Sequence, residues 1–255
     1  GVVGRRSLAS SLRMTERTLR TEVEFLKSQG LLKTEAIGMQ VTDSGRRLLE
    51  DMEPMIKDLF GLTDLQEKIQ NKYHIRRVVI VPGDSDQSEY TKKELGRAGA
   101  RILRKSVESG DVIAVTGGST MAAVADGLSA SSRFKGCTFV PARGGLGETV
   151  ELQANTIASA MAKRTGGTYR LLHVPDHLGE EAYQSLIQEP NVREIMEVIR
   201  QAKIVVHGIG DAFVMARRRK VDEQSIRMLK KEGALAEAFG YYFDREGKVV
   251  HKMPT

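Results

Sequence analysis

Apolar residues in the first third of the chain recur at helical spacing. Leu8 and Leu12 share one face of a short helix over 7–13, and Leu19, Val23 and Leu26 form the buried stripe of a second over 16–28. Met14-Thr15 breaks the two apart, and Thr15 is placed to cap the second. Gly30 ends that helix, Leu31-Leu32 return to the core, and residues 33–41 alternate as a short hairpin around Gly38. Thr42-Asp43-Ser44 then caps a third helix running to about Phe60. Along it Leu48, Met52, Met55, Leu59 and Leu62 fall at spacings of 4, 3, 4 and 3. Such a seam suits a dimer contact and packing within the chain equally well. Gly61 interrupts it, a helix over 63–73 follows, and the apolar run 77–81 reads as a strand. The boundary between two domains, 1–60 and 61–255, is placed there.

Beyond this point helical and strand patterns alternate. Helices are expected over 89–109, 121–128, 150–164, 191–201 and 222–232, and strands over 112–115, 137–140, 169–174 and 204–207. The order predicts an α/β domain with a doubly wound, mostly parallel sheet, whose ligands lie beyond the carboxyl ends of its strands. Three loops fall at those ends. The first is Thr116-Gly117-Gly118-Ser119-Thr120, the second runs from Pro141 through Arg143 to Gly147, and the third is Gly208-Ile209-Gly210-Asp211, leading to Arg217-Arg218-Arg219-Lys220.

The first loop has the chemistry of an anion site. Glycines admit a close backbone approach, free N–H groups at a helix N-terminus face the ligand, and Ser119 and Thr120 add hydroxyl donors. An ordinary βα turn capped by Ser119 fits the same residues. It is neither a Walker loop nor a full GxGxxG motif. The arginines of the other two loops suit an anionic metabolite, although a run such as 217–220 also fits a solvated surface.

Charge adds a second partner. The whole chain carries a net +6, and residues 1–33 hold seven Lys/Arg against three Glu. Helix, turn, helix and hairpin is the order of a winged helix-turn-helix, whose second helix enters the major groove. Arg17, Arg20 and Thr21 turn away from its buried stripe, with Thr18 at the flank and Thr15 at the cap. These five residues are the candidates for the DNA contact.

Other chemistry is not signalled. The sequence of 255 residues has no apolar run long enough to span a membrane and no leader-like start. Its one cysteine, Cys137, forms no internal disulfide, which fits a cytoplasmic location. Pro175 lies between His173 and His177, so no helical face presents both as metal ligands. No cofactor and no metal is expected, and no hydrolase or zinc motif occurs.

The order SLAxxLxMTxRTLRxxVxFLxxxGLL resembles bacterial winged-helix repressors, which usually carry a further helix before Ser7. Together with TGGSTM, PARGG and GIGDA, the chain resembles the SorC/DeoR-type sugar-responsive repressors over essentially its whole length. It is most similar to the branch that governs central glycolytic genes in Gram-positive bacteria. The resemblance implies an effector domain related to phosphosugar isomerases and glucosamine-phosphate deaminases. It implies fructose 1,6-bisphosphate as effector, relief of repression on binding, and a homodimer or homotetramer. Its ligand set maps onto Gly117, Gly118, Ser119 and Thr120 in the loop, Arg143 after the next strand, and Gln153 in the following helix. Asp211, Arg218 and Glu237 complete it. Family members also run on for some tens of residues past a position like Thr255. The rival function is a phosphosugar isomerase or deaminase of the same fold. Neither an Asp-Gly-Ala-Asp-Glu stretch nor a Lys-Gly-Gly-Gly loop is present to support it.

Overall fold

The computed structural model describes residues 2–144, 150–174, 180–219 and 221–252. Its contacts divide the chain into two compact units, Gly1–Pro82 and Gly83–Thr255.

In the first unit α1 (Arg5–Ser11) and α2 (Glu16–Ser28) are followed by the antiparallel pair β1 (Leu32–Glu35) and β2 (Gly38–Val41). Gly38 opens β2, so the hairpin turns at Ala36-Ile37 and not around Gly38 as the alternation implied. Val3 bridges Met39 on the other edge of β2 and adds a third strand-like segment. Ala9, Leu19, Val23 and Met39 close a small core, with Leu8 and Leu32 packed on it. Helix α3 (Asp43–Leu59) is capped by Thr42, whose hydroxyl oxygen accepts from the Gly45 N–H, and α4 (Leu62–Tyr73) follows a left-handed Gly61.

The strand expected over 77–81 does not form a ladder among the described residues. Residues 78–81 are half-buried, but the N–H groups of Val78 and Ile80 donate to the side-chain oxygens of Gln70 and Gln66, at 2.7 and 2.8 Å. Both glutamines lie on α4, one helical turn apart. Side-chain amides therefore take two bonds that a neighbouring strand would otherwise supply.

The second unit begins with α5 (Glu89–Ser106), β3 (Val112–Val115) and α6 (Ser119–Gly127). Next come β4 (Thr138–Pro141), α7 (Ala154–Thr165) and β5 (Thr168–Tyr169). Helices α8 (Glu180–Leu186) and α9 (Pro190–Arg200) lead to β6 (Ile204–Val206). These strands form the expected parallel sheet, in the order β5-β4-β3-β6. Ile113, Val115, Phe134, Phe139, Ile157 and Met161 are its fully buried interior. At the amino end of β3, Asp111 is buried; it accepts from the Glu108 N–H and pairs with Lys203 at 3.0 Å. Those bonds hold its carboxyl below the usual carboxylate pKa.

The remainder departs from the doubly wound expectation. After β7 (Gly210–Asp211), α10 (Ala212–Arg218) and α11 (Glu223–Lys231), the chain forms β8 (Ala236–Ala238), β9 (Tyr241–Phe243) and β10 (Val249–Lys252). They make a separate antiparallel sheet, ordered β10-β9-β8-β7, over a second core of Ala212, Ala216, Ile226, Leu229, Ala234 and Tyr242.

Candidate functional site

The first candidate surface is α2. Arg13 takes a left-handed conformation (φ 53°) in the turn before it, and the Thr15 hydroxyl oxygen caps it by accepting from the Thr18 N–H at 3.1 Å. The two threonine hydroxyls also lie 2.8 Å apart. Leu19 and Val23 are buried, which turns Arg17, Arg20 and Thr21 outward, where all three are exposed. The Thr21 hydroxyl donates to the Arg17 carbonyl. This face can offer guanidinium forks to guanine edges or phosphates, while the threonines stabilise the helix start and flank it.

The second site starts where β3 ends. The Thr116 N–H donates to the Val206 carbonyl at 3.1 Å, which holds the end of β3 beside β6. Gly118 (φ 113°) precedes α6, and its N–H donates to the Leu152 carbonyl at 2.9 Å. That amide is therefore already used, contrary to its expected role as a free phosphate donor. A Cβ on Gly117 would lie 2.5 Å from the same carbonyl oxygen, so only glycine fits the contact. The opening amides of α6, from Ser119 to Met121, have no side-chain cap, and Ser119 and Thr120 are half-buried beside them. These amides and hydroxyls have the chemistry to hold an anion at the helix start. Gln153 is the residue before α7 and not a helical residue as expected. The Leu152 contact brings it next to the loop.

The third loop converges on a buried charge cluster. Arg143 is buried after β4, with its guanidinium against the backbone of Gly240; a Cβ there would be 2.5 Å from Nη1. Glu237, on β8, is 3% exposed and is not the outward strand residue its sequence context allowed. Its Oε1 accepts from Arg219 Nη2 at 2.7 Å and from the Gly240 N–H at 2.6 Å. Arg219 is 5% exposed, and its Nε and Nη1 have no hydrogen-bond partner among the described residues. Tyr242 pairs with Glu237 across the sheet. Burial pushes its hydroxyl pKa up, and the Arg219 charge opposes that. Glu237 thus pairs with Arg219 and ties the Gly240 turn, against which the Arg143 guanidinium lies. The unpartnered Nε and Nη1 of Arg219 are costly to bury, and an entering anion would satisfy them.

The structure brings Arg143 and Glu237 together and adds Arg219 and Tyr242, which sequence analysis did not single out. Arg217 and Arg218 are exposed, so the run 217–220 is only partly a solvated surface. A signal for Arg219 exists: it follows Ala212 and Ala216 at i+7 and i+3, on their buried stripe. Asp211 is exposed and caps α10, its Oδ1 accepting from the N–H groups of Phe213 and Val214 at 2.9 Å each. Gly145, Leu146 and Gly147 of the second loop, His177 and Lys220 lie outside the described residues. Among the described residues no group of His, Cys, Asp and Glu could hold a metal ion. Cys137 is buried, and burial pushes its thiol pKa up, which disfavours the reactive thiolate. No described helix is long and apolar enough to cross a membrane.

Comparison with known proteins joins the two parts of the chain. A family model for the CggR N-terminal DNA-binding domain matches residues 1–56, and the Sugar-bind model, a sugar-binding domain, matches residues 57–255. The central glycolytic genes regulator of Bacillus subtilis (strain 168) is 46% identical over 98% of this chain and 74% of its own length. The protein of that name from Priestia megaterium is 47% identical over 99% and 74%. A crystal structure assigned to the SorC family of transcriptional regulators, from Enterococcus faecalis, is 43% identical with a TM-score of 0.69, covering 75% of this chain and 78% of that one. These relatives are named as transcriptional regulators, not enzymes, which removes the isomerase or deaminase alternative from favour. With a DNA-binding domain followed by a sugar-binding domain that contains a parallel sheet, the chain belongs to the SorC-type family of central glycolytic genes regulators.

Proposed function

We propose that the chain represses glycolytic genes by binding operator DNA through Thr15, Arg17, Thr18, Arg20 and Thr21, and that fructose 1,6-bisphosphate releases it. The observation that carries the effector half is the presence, in one sugar-binding unit, of two separate sets of anion donors. One is the uncapped start of α6 with Ser119 and Thr120; the other is the buried pair Arg143 and Arg219. A phosphate on the first needs little arginine help, because helix amides already favour it. The second set then suits a second phosphate, held by planar guanidiniums, with Arg218 at the exposed rim. In this reading Gln153 and the second carboxylate oxygen of Asp211 take the sugar hydroxyls, whereas Glu237 fixes Arg219 and the Gly240 turn.

The same reading makes the domain a relative of phosphosugar isomerases that has kept the phosphate loop and uses it for sensing in the cytoplasm. It also assigns the exposed seam of α3 to a second copy of the chain, in a homodimer or homotetramer. The test is a titration of fructose 1,6-bisphosphate and fructose 6-phosphate against the operator-bound protein. The bisphosphate is expected to bind more tightly and to release the DNA. Equal affinity for the two sugars would remove the second phosphate site, and an operator complex unchanged at saturating bisphosphate would remove the coupling.

A further inference from the structure

We infer that a ring contact between His207 and Phe239 sets the spacing of the two anion-binding features and so makes the site select a bisphosphate; this rests on the effector reading above. Phe239 and Gly240 form the turn between β8 and β9, and both are left-handed, at φ 58° and 82°. Glycine adopts that conformation freely, but a bulky aromatic residue does so at a conformational cost. The Phe239 ring lies 4.6 Å, centroid to centroid, from that of His207, with the planes tilted by 53°. This separation and tilt fit an attractive aromatic contact. Neither ring belongs to either apolar core of the unit, and His207 is exposed, so core packing does not account for the pairing.

The contact joins the two halves of the site. His207 follows β6, whose last carbonyl, that of Val206, accepts the Thr116 N–H at the entrance to the glycine loop. Its Nδ1 lies 3.0 Å from the Gly208 carbonyl, a contact that steadies the ring when that nitrogen is protonated. On the other side Phe239 precedes Gly240, whose N–H is fixed by Glu237 and whose backbone meets the Arg143 guanidinium. A strained turn that abuts Arg143 and follows Glu237, the partner of Arg219, is thus braced by a side chain anchored beside the glycine loop. Strain of this kind persists where surrounding contacts hold it. Loosening the brace lets Glu237 and Arg219 drift from the loop, while the ladder of β3 and β4 still holds Arg143; this penalises a ligand that must bridge both ends and spares one that uses a single end.

Calorimetry on the full chain with fructose 1,6-bisphosphate and fructose 6-phosphate tests this through the ratio of the two affinities. Phe239→Asn removes the ring but keeps a residue that tolerates the left-handed turn. It is expected to shrink the wild-type ratio by up to about tenfold, the upper range for one aromatic contact. His207→Ala should do the same, and His207→Phe, which restores a ring pair, should recover the ratio. An unchanged ratio in Phe239→Asn, or both affinities falling together, would overturn the inference while leaving the effector site in place. A wild-type protein that binds neither sugar would overturn the effector reading and this inference with it.

Discussion

A single methyl group tests the glycine loop. On Gly117 it would sit 2.5 Å from the Leu152 carbonyl oxygen, a backbone atom that cannot swing aside as a side chain can. That oxygen also receives the Gly118 N–H, so relief of the clash pulls the loop open. Gly117→Ala is expected to cost about 1–3 kcal/mol of stability, as overpacking does. It should also weaken fructose 1,6-bisphosphate by at least about tenfold. Thermal unfolding and calorimetry read the two effects, and unaltered affinity would place the phosphate elsewhere. The TGGST turn was legible because glycines between a strand pattern and a helix pattern announce a βα turn in one dimension. Arg219 was not, because three consecutive arginines look alike until the register of α10 is known. Ala212 and Ala216 hold that register, and they carry Arg219 inward while Arg217 and Arg218 face solvent.

Elements formed where residue periodicity and core agree. The Leu19 and Val23 stripe made α2 readable, and with it the outward face proposed to meet DNA. Arg17→Ala should cost about 1–3 kcal/mol of operator affinity if the side chain reads a base, and should flatten the salt slope if it meets a phosphate. A binding curve that changes in neither respect would refute the placement. On α3, Leu48, Met52, Met55 and Leu59 are all exposed, Leu59 to 80%, so the heptad-like seam is uncovered along the described helix. Met55→Glu is expected to shift the sedimentation of the protein toward monomer; an unchanged oligomer would show that the seam serves another contact. The antiparallel sheet was hidden for the opposite reason. Its strands are two to four residues long, too short for alternation to register. In Ala236-Glu237-Ala238 the buried residue is the charged one, which inverts the usual pattern.

At the scale of the molecule, repressor and sensor meet as linked equilibria. If fructose 1,6-bisphosphate lowers operator affinity tenfold, operator must lower bisphosphate affinity tenfold, a coupling of about 1.4 kcal/mol. Measuring both ratios on the same preparation checks the proposal from two directions, and ratios that disagree would rule out a simple two-site linkage. A ligand at a hundred times its Kd should also stabilise the sugar-binding unit by about 2.7 kcal/mol. The two-part organisation was legible early, since a basic helical head precedes an alternating α/β pattern. The division of contacts after Pro82 was not, because the intervening apolar run has a strand's composition without a strand's ladder.

That run has one more consequence. Val78-Val79-Ile80-Val81 is uncharged, β-branched throughout and free of proline, the composition of segments that stack into fibrils. Gln66 and Gln70 are therefore expected to act as gatekeepers without sitting in the segment itself, because their oxygens occupy two amides through which a foreign strand would add. Replacing both glutamines with leucine keeps helix propensity nearly constant and frees those two amides. The double variant is expected to bind thioflavin T and sediment as aggregate under conditions where the parent protein stays in solution. Equal solubility of the two proteins would show that the glutamines guard nothing.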